Sequence, residues 1–137
     1  DVNVCVAVST EEGLTAPVVR DADRLSLEEL SEAIETLRKK ARSKRLGRED
    51  VEGGTFTVTN LGMFGVDSFT PVINPPQAAI LAVGRIARRP IVVGDSVEVR
   101  ETVQMTLSFD HRVLDGVPAA KFLSRVRELL EDPSWMT

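Results

Sequence analysis

Valine occupies positions 2, 4, 6 and 8, separated by Asn3, Cys5 and Ala7. Alternation with a period of two predicts a strand over residues 2–8, with Cys5 on the face opposite the valines. With no acid–base partner near it in sequence, Cys5 reads as a small hydrophobe rather than a nucleophile. Glu11-Glu12-Gly13 predicts a turn, and residues 17–20 a short extended piece. Ser26-Leu27-Glu28-Glu29 has the form of a capping box, with Ser26 as N-cap. The helix it opens should bury Leu27, Leu30, Ile34, Leu37 and Ala41. Its first turns are acidic and its end is basic (Arg38, Lys39, Lys40, Arg42, Lys44, Arg45), an order that complements the helix dipole. The basic run reads as a solvated helix end, with contact to the phosphates of a nucleotide-like ligand as the sharper alternative.

Gly53 and Gly54 break the chain before a strand over residues 55–60, with threonines on one face and Phe56 and Val58 on the other. Two glycines make residues 60–65 a turn, and Pro75-Pro76 marks a second loop. The apolar run 77–83 has the length of a buried strand. Segments 91–93 and 97–99 flank Gly94-Asp95-Ser96, which predicts a hairpin with a three-residue loop. Alternation resumes over residues 102–109. A last helix over 117–131 should bury Val117, Phe122, Leu123, Val126, Leu129 and Leu130, and Pro133 ends it. Trp135 and Met136 then form an apolar tail that needs cover, from its own core or from a neighbouring subunit.

Composition narrows the class. The 137 residues are 42% hydrophobic and 28% charged, enough for one domain with a core and ordinary for a globular protein. A net charge of −4 argues against a dedicated nucleic-acid binder. One cysteine and one histidine exclude an internal disulfide and a Cys/His zinc site, so no metal is expected. No apolar run has the length of a membrane span. The chain opens directly on strand-like residues, which suggests a piece cut from within a larger polypeptide.

The chemistry concentrates at Ser108-Phe109-Asp110-His111-Arg112-Val113-Leu114-Asp115-Gly116. His111 is the single histidine and falls at a strand-to-helix junction, where side chains can project into a cleft. Histidine as a class suits proton transfer near neutral pH. The spacing allows two readings: a general base partnered by Asp115, or a lone histidine hydrogen-bonded in a loop. Spacing alone favours the second.

Several segments together carry a resemblance. The stretch around His111 is similar to the active-site signature of the dihydrolipoamide acyltransferases, the core components of 2-oxo-acid dehydrogenase complexes. Its His-x-x-x-Asp-Gly pattern is shared with chloramphenicol acetyltransferase. Residues 54–65 (GTFTVTNLGMFG) and 71–84 (PVINPPQAAILAVG) resemble further family signatures, and residues 2–8 and 13–19 also fit. The resemblance covers the chain in order. It implies an α/β fold, a mixed β-sheet flanked by helices, of the coenzyme-A-dependent, chloramphenicol acetyltransferase-like type. It implies one domain over 1–137, the C-terminal portion of a catalytic domain whose N-terminal segment, lipoyl domain and subunit-binding domain lie outside these residues. A site built partly from such a segment is expected to be inactive, or nearly so, in these residues alone.

The implied reaction moves an acyl group between dihydrolipoamide and coenzyme A, with acetyl the group that residues 60–65 and 74–77 resemble most closely. Succinyl and branched-chain groups are the alternatives. His111 would be the base, Thr59 the oxyanion donor and Asp115 the partner of a basic group that shapes the histidine loop. Without the resemblance, Thr59 reads as a strand threonine. Asn60 and Gly62 would contact substrate, and Asp110, Arg112 and Gly116 would be structural. No cofactor is expected to be tightly bound; coenzyme A and a lipoyl group on a separate domain would be substrates. The implied partners are two further copies in a homotrimer, a larger cubic or dodecahedral core, and the decarboxylase/dehydrogenase and dihydrolipoamide dehydrogenase components, with no nucleic acid or membrane. The setting would be the cytoplasm in a bacterium or archaeon and the mitochondrial matrix in a eukaryote. A non-catalytic core protein is the competing reading, and retention of His111, Asp115 and Gly116 counts against it. A serine or cysteine hydrolase lacks its motif here.

Overall fold

A computed structural model describes residues 1–136. Its centre is a five-stranded sheet built from β1 (Val4–Val6), β4 (Val18–Val19), β5 (Phe56–Asn60), β6 (Ala79–Val83) and β9 (Met105–Phe109), in the order β4-β1-β5-β6-β9. Strands β1, β5 and β6 run parallel, while β4 and β9 close the two edges antiparallel. The mixed sheet flanked by helices is the α/β architecture expected. Strand β6 reads Ala-Ile-Leu-Ala-Val because both faces are covered, and its first four residues are buried.

Two hairpins stand off this sheet: β2 (Val8–Thr10) with β3 (Gly13–Thr15), and β7 (Ala87–Val93) with β8 (Ser96–Thr102). The second differs from expectation. Val93 pairs with Ser96, so the loop is the two residues Gly94-Asp95, with Gly94 at φ 60° as a tight hairpin requires. The alternation at 102–109 is also split, because Thr102 ends β8 and β9 starts at Met105.

Helix α1 (Leu27–Arg42) starts as read: Ser26 Oγ accepts from Glu29 N at 3.2 Å and Glu29 Oε2 accepts from Ser26 N at 2.8 Å. It buries Leu37 and Ala41 but leaves Leu27 exposed. Helix α2 (Gly116–Glu131) departs further. Ala119 is its buried residue, whereas Val117, Phe122 and Leu130 are exposed. The helix meets the sheet on one narrow stripe, where Phe122 stacks obliquely on Phe56 with ring centres 5.7 Å apart. The apolar tail folds back, with Trp135 Nε1 donating to the Leu129 carbonyl at 2.7 Å, yet half of the indole stays exposed.

The sheet's most buried polar group lies on the face of Cys5 and Thr57, which sit opposite each other across β1 and β5. Thr57 Oγ1 donates to Gln77 Oε1 at 2.6 Å, and Gln77 Nε2 donates to Cys5 Sγ at 3.3 Å. Gly54 flanks this trio, and a Cβ there would overlap Cys5 Sγ and lie 2.9 Å from Gln77 Nε2. Gly54→Ala should therefore destabilise by about 1–3 kcal/mol, the usual range for overfilling a well-fitted interior. Thermal melting checks this: the loss should shrink when Cys5→Ala removes the sulfur, and independent additive losses would refute the overlap.

Candidate active site

Three elements build the site. Strand β9 delivers Phe109, and the ladder continues one step as Asp110 N donates to the Ala78 carbonyl at 2.7 Å. The chain then turns: Val113 N and Leu114 N both donate to the Asp110 carbonyl, at 2.9 and 3.0 Å. Asp110 also clamps the turn through its carboxylate. Oδ1 accepts from Arg112 N and Arg112 Nε, both at 3.0 Å, and Oδ2 accepts from the other end of the guanidinium at 2.8 Å. The fork-to-carboxylate geometry lowers the Asp110 carboxyl to a pKa of about 2 and raises that of Arg112. Asp110 and Arg112 thus hold the turn as a local ion pair.

His111 sits at the apex of that turn, with its ring 5.5 Å from Phe109. Its Nδ1 lies 3.9 Å from Asp115 Oδ1, longer than a direct hydrogen bond. Both side chains are largely exposed. Asp115 is the N-cap residue of α2, but its carboxylate makes no capping bond. Among the described residues its ionic neighbour is His111. Gly116 starts α2, and a Cβ on it would meet open space.

Thr59 lies elsewhere. It is buried on the same face of β5 as Thr57, and its hydroxyl makes no hydrogen bond among the described residues. It lines a cavity of about 640 Å³ between the sheet and residues 69–75, with Ala16, Leu61, Phe69, Pro71 and Ile80 among the walls. Beyond it, Asn60 Oδ1 accepts from Gly62 N at 2.7 Å and so shapes the turn. Gly62 is there for space, since a Cβ would come within 2.8 Å of the Gly84 carbonyl.

Register separates the two ends of the proposed chemistry. Thr59 is level with Ala82, and Ala82 with Thr106. From Thr106, β9 runs toward the N-terminal end of β5, away from Thr59. Two strand spacings across and three residues along already put Phe109 roughly 14 Å from Thr59, and His111 lies beyond Phe109. Within one chain the turn after β9 brings His111 and Asp115 together, and the sheet holds Thr59 apart.

The 2-oxoacid dehydrogenases acyltransferase (catalytic domain) family model matches residues 1–137. The chain belongs to this acyltransferase family. It is 46% identical to the dihydrolipoyllysine-residue succinyltransferase component of the 2-oxoglutarate dehydrogenase complex of Haemophilus influenzae, over 96% of this chain and 32% of that protein. The dihydrolipoamide acetyltransferase of Azotobacter vinelandii superposes with a TM-score of 0.95 at 40% identity, over 98% of this chain and 56% of that one. The cubic core of a pyruvate dehydrogenase multienzyme complex superposes with a TM-score of 0.92 at 40% identity, again over 98% and 56%. The chain thus spans about a third of the curated relatives and just over half of the solved chains. Acetyl- and succinyl-transferring relatives match equally well, so the acyl group expected from residues 60–65 and 74–77 is not distinguished.

Sequence reasoning missed the Cys5–Thr57–Gln77 trio and a second network, in which Asp67 Oδ1 accepts from Arg85 Nε at 2.5 Å and from an Arg89 terminal nitrogen at 2.8 Å. Those two arginines lower the Asp67 carboxyl. A polar residue at the head of the apolar run 77–83 was the available signal for Gln77, which lies two residues before β6. Nothing in sequence pointed to Asp67.

The Asp110 clamp has a pH signature. Its folded pKa lies below the ordinary 3.8, so its contribution is present above that value and is lost as pH falls toward about 2. Amide exchange of residues 110–114 should accelerate over that acid window. Asp110→Asn should remove the dependence and leave the turn loose at neutral pH; an unchanged acid limb would show that the clamp is idle.

Proposed function

We propose that this chain carries the base and the oxyanion donor of an acyltransferase that moves an acyl group between dihydrolipoamide and coenzyme A. The observation that carries the reading is the set Thr59, His111 and Asp115. In the Azotobacter vinelandii acetyltransferase, a serine, a histidine and an asparagine investigated for their role in the catalytic mechanism stand in the same order at the same separations. Threonine keeps the hydroxyl of that serine, and aspartate keeps the hydrogen-bonding oxygen of that asparagine.

The geometry suits thiol attack on a thioester. A free thiol titrates at about 8.5 and is mostly protonated at neutral pH. With Nδ1 turned to Asp115, His111 offers Nε2 outward to take the thiol proton. The sulfur bonds to the carbonyl carbon, and the oxygen becomes an oxyanion. The free Thr59 hydroxyl is the donor for that charge, an interaction of roughly 3–4 kcal/mol. Collapse breaks the other carbon–sulfur bond, and the departing thiolate takes the proton from His111. Both substrates bring their own thiols, so no acyl-enzyme is needed.

Because the register holds Thr59 and His111 apart within one chain, the reading includes a shared site: His111 from one subunit facing Thr59 of the next, in a closed homotrimer. Acetyl is the favoured group. The cavity beside Thr59 carries no lysine, arginine or histidine among its lining residues, whereas a succinyl carboxylate would call for a cation. The proposed partners are the other components of such a complex, with a larger core assembled from trimers. The setting follows the source: cytoplasm, or mitochondrial matrix.

In the intact protein, His111→Ala should lower transfer by about 100- to 10,000-fold with the fold retained. A folded variant with near-normal rate would remove the base role. Thr59→Ala should lower kcat by about 100- to 1,000-fold with little change in KM, and Thr59→Ser should retain most activity. Refolding the two alanine variants together should restore activity above either parent. Mixed trimers confirmed by mass but showing no gain would rule out the shared site. Rates with acetyl-, succinyl- and isobutyryl-coenzyme A decide the acyl group.

A further inference from the structure

Two threonines of β5, Thr57 and Thr59, line the cavity. They are not equivalent. The Thr57 hydroxyl is drawn to Gln77 Oε1 at 2.6 Å, while that of Thr59 has no partner among the described residues. Gln77 is itself held on every side. Its Nε2 donates to Cys5 Sγ at 3.3 Å, its backbone N donates to the Asn74 carbonyl at 3.0 Å, and Gly54 leaves no spare room beside the carboxamide. Cys5, Thr57 and Gln77 are 1%, 2% and 9% exposed, so water offers little competition for these bonds. Residues 69–75 form the far wall of the cavity and end at this anchor.

We propose that Gln77 is a positioning residue for the acyl transfer: it withdraws the Thr57 hydroxyl from the cavity, pins the 69–77 loop, and leaves Thr59 as the free hydroxyl of β5. The inference rests on the oxyanion reading of Thr59. A second free hydroxyl two residues along the same strand face would compete for the substrate oxygen, and an oxyanion donor works only when its direction is set before the reaction. An unpaired buried hydroxyl turns to any acceptor within reach. With Gln77 gone, the Thr57 hydroxyl loses this acceptor and is free to turn toward the cavity that Thr57 lines.

The test uses Gln77→Met, which keeps the length and removes both polar atoms, in the intact protein. Its kcat should fall about 10- to 100-fold with KM for acyl-coenzyme A changed less than about 3-fold, the pattern of a misdirected transition-state contact. Adding Thr57→Val removes the freed hydroxyl and should recover at least about half of the loss on a logarithmic scale. A structural anchor alone would give a loss that tracks the melting temperature and that Thr57→Val does not recover, and this outcome overturns the proposal. If Gln77→Met fails to fold, Gln77→Asn keeps the amide but cannot reach Thr57, and the same pair of outcomes applies. If the wild type transfers no acyl group, the oxyanion reading fails by itself. Gln77 is then judged from the crystal structure of the variant: a Thr57 hydroxyl rotated into the cavity supports the positioning, and an unmoved one overturns it.

Discussion

Strand β6 pairs with β5 in parallel register and with β9 in antiparallel register, and its buried Ala-Ile-Leu-Ala stretch fits no edge. Where the chemistry sits follows from that double pairing. A parallel neighbour points the C-terminal end of β5, with Thr59, one way. An antiparallel neighbour points the C-terminal end of β9, with His111, the other way. The sheet is therefore also a spacer: it keeps the imidazole of His111 and the hydroxyl of Thr59 at opposite ends of one chain.

The two ends are stabilised differently. The Thr59 end is interior, set by hydroxyl, carboxamide and thiol in a space without slack. Neutral hydrogen bonds suffice there, and charge would be costly to bury. The His111 end is exposed, and an ion pair between Asp110 and Arg112 closes its turn. Exposed ion pairs are weak in general; this one is strengthened by its forked geometry and by the added backbone bond from Arg112.

Exposed apolar side chains lie at both ends and beyond them. Val117, Phe122 and Leu130 on α2, Val92, Val97 and Val99 on the β7–β8 hairpin, and Met63 and Phe64 after β5 all remain open in one chain. So much bare apolar surface calls for cover that the described residues do not themselves supply.

How much was legible in sequence divides along the range of the forces. Capping of α1 by Ser26 and Glu29, the threonine alternation of β5, the presence of a hairpin at Gly94 and the buried run into β6 depend on neighbours a few residues apart, and these were readable. The valine alternation read as one strand over residues 2–8 is instead divided at Ala7 between β1 and β2, which pair in different sheets. The motif around His111 was readable too, because a turn with its helix N-cap is local. Other features depend on residues brought together from far along the chain. The split of residues 102–109 into two strands, the two-residue hairpin loop and the exposure of half of α2 were set by strand partners and by the limited contact of one helix with one sheet. Gln77 reached Thr57 and Cys5, and Asp67 reached Arg85 and Arg89, only once the sheet had formed. The same holds for the separation of Thr59 from His111. Sequence supplied both residues and their chemistry, but the direction of β9 against β6 is a property of long-range hydrogen-bond pairing that no local pattern encodes.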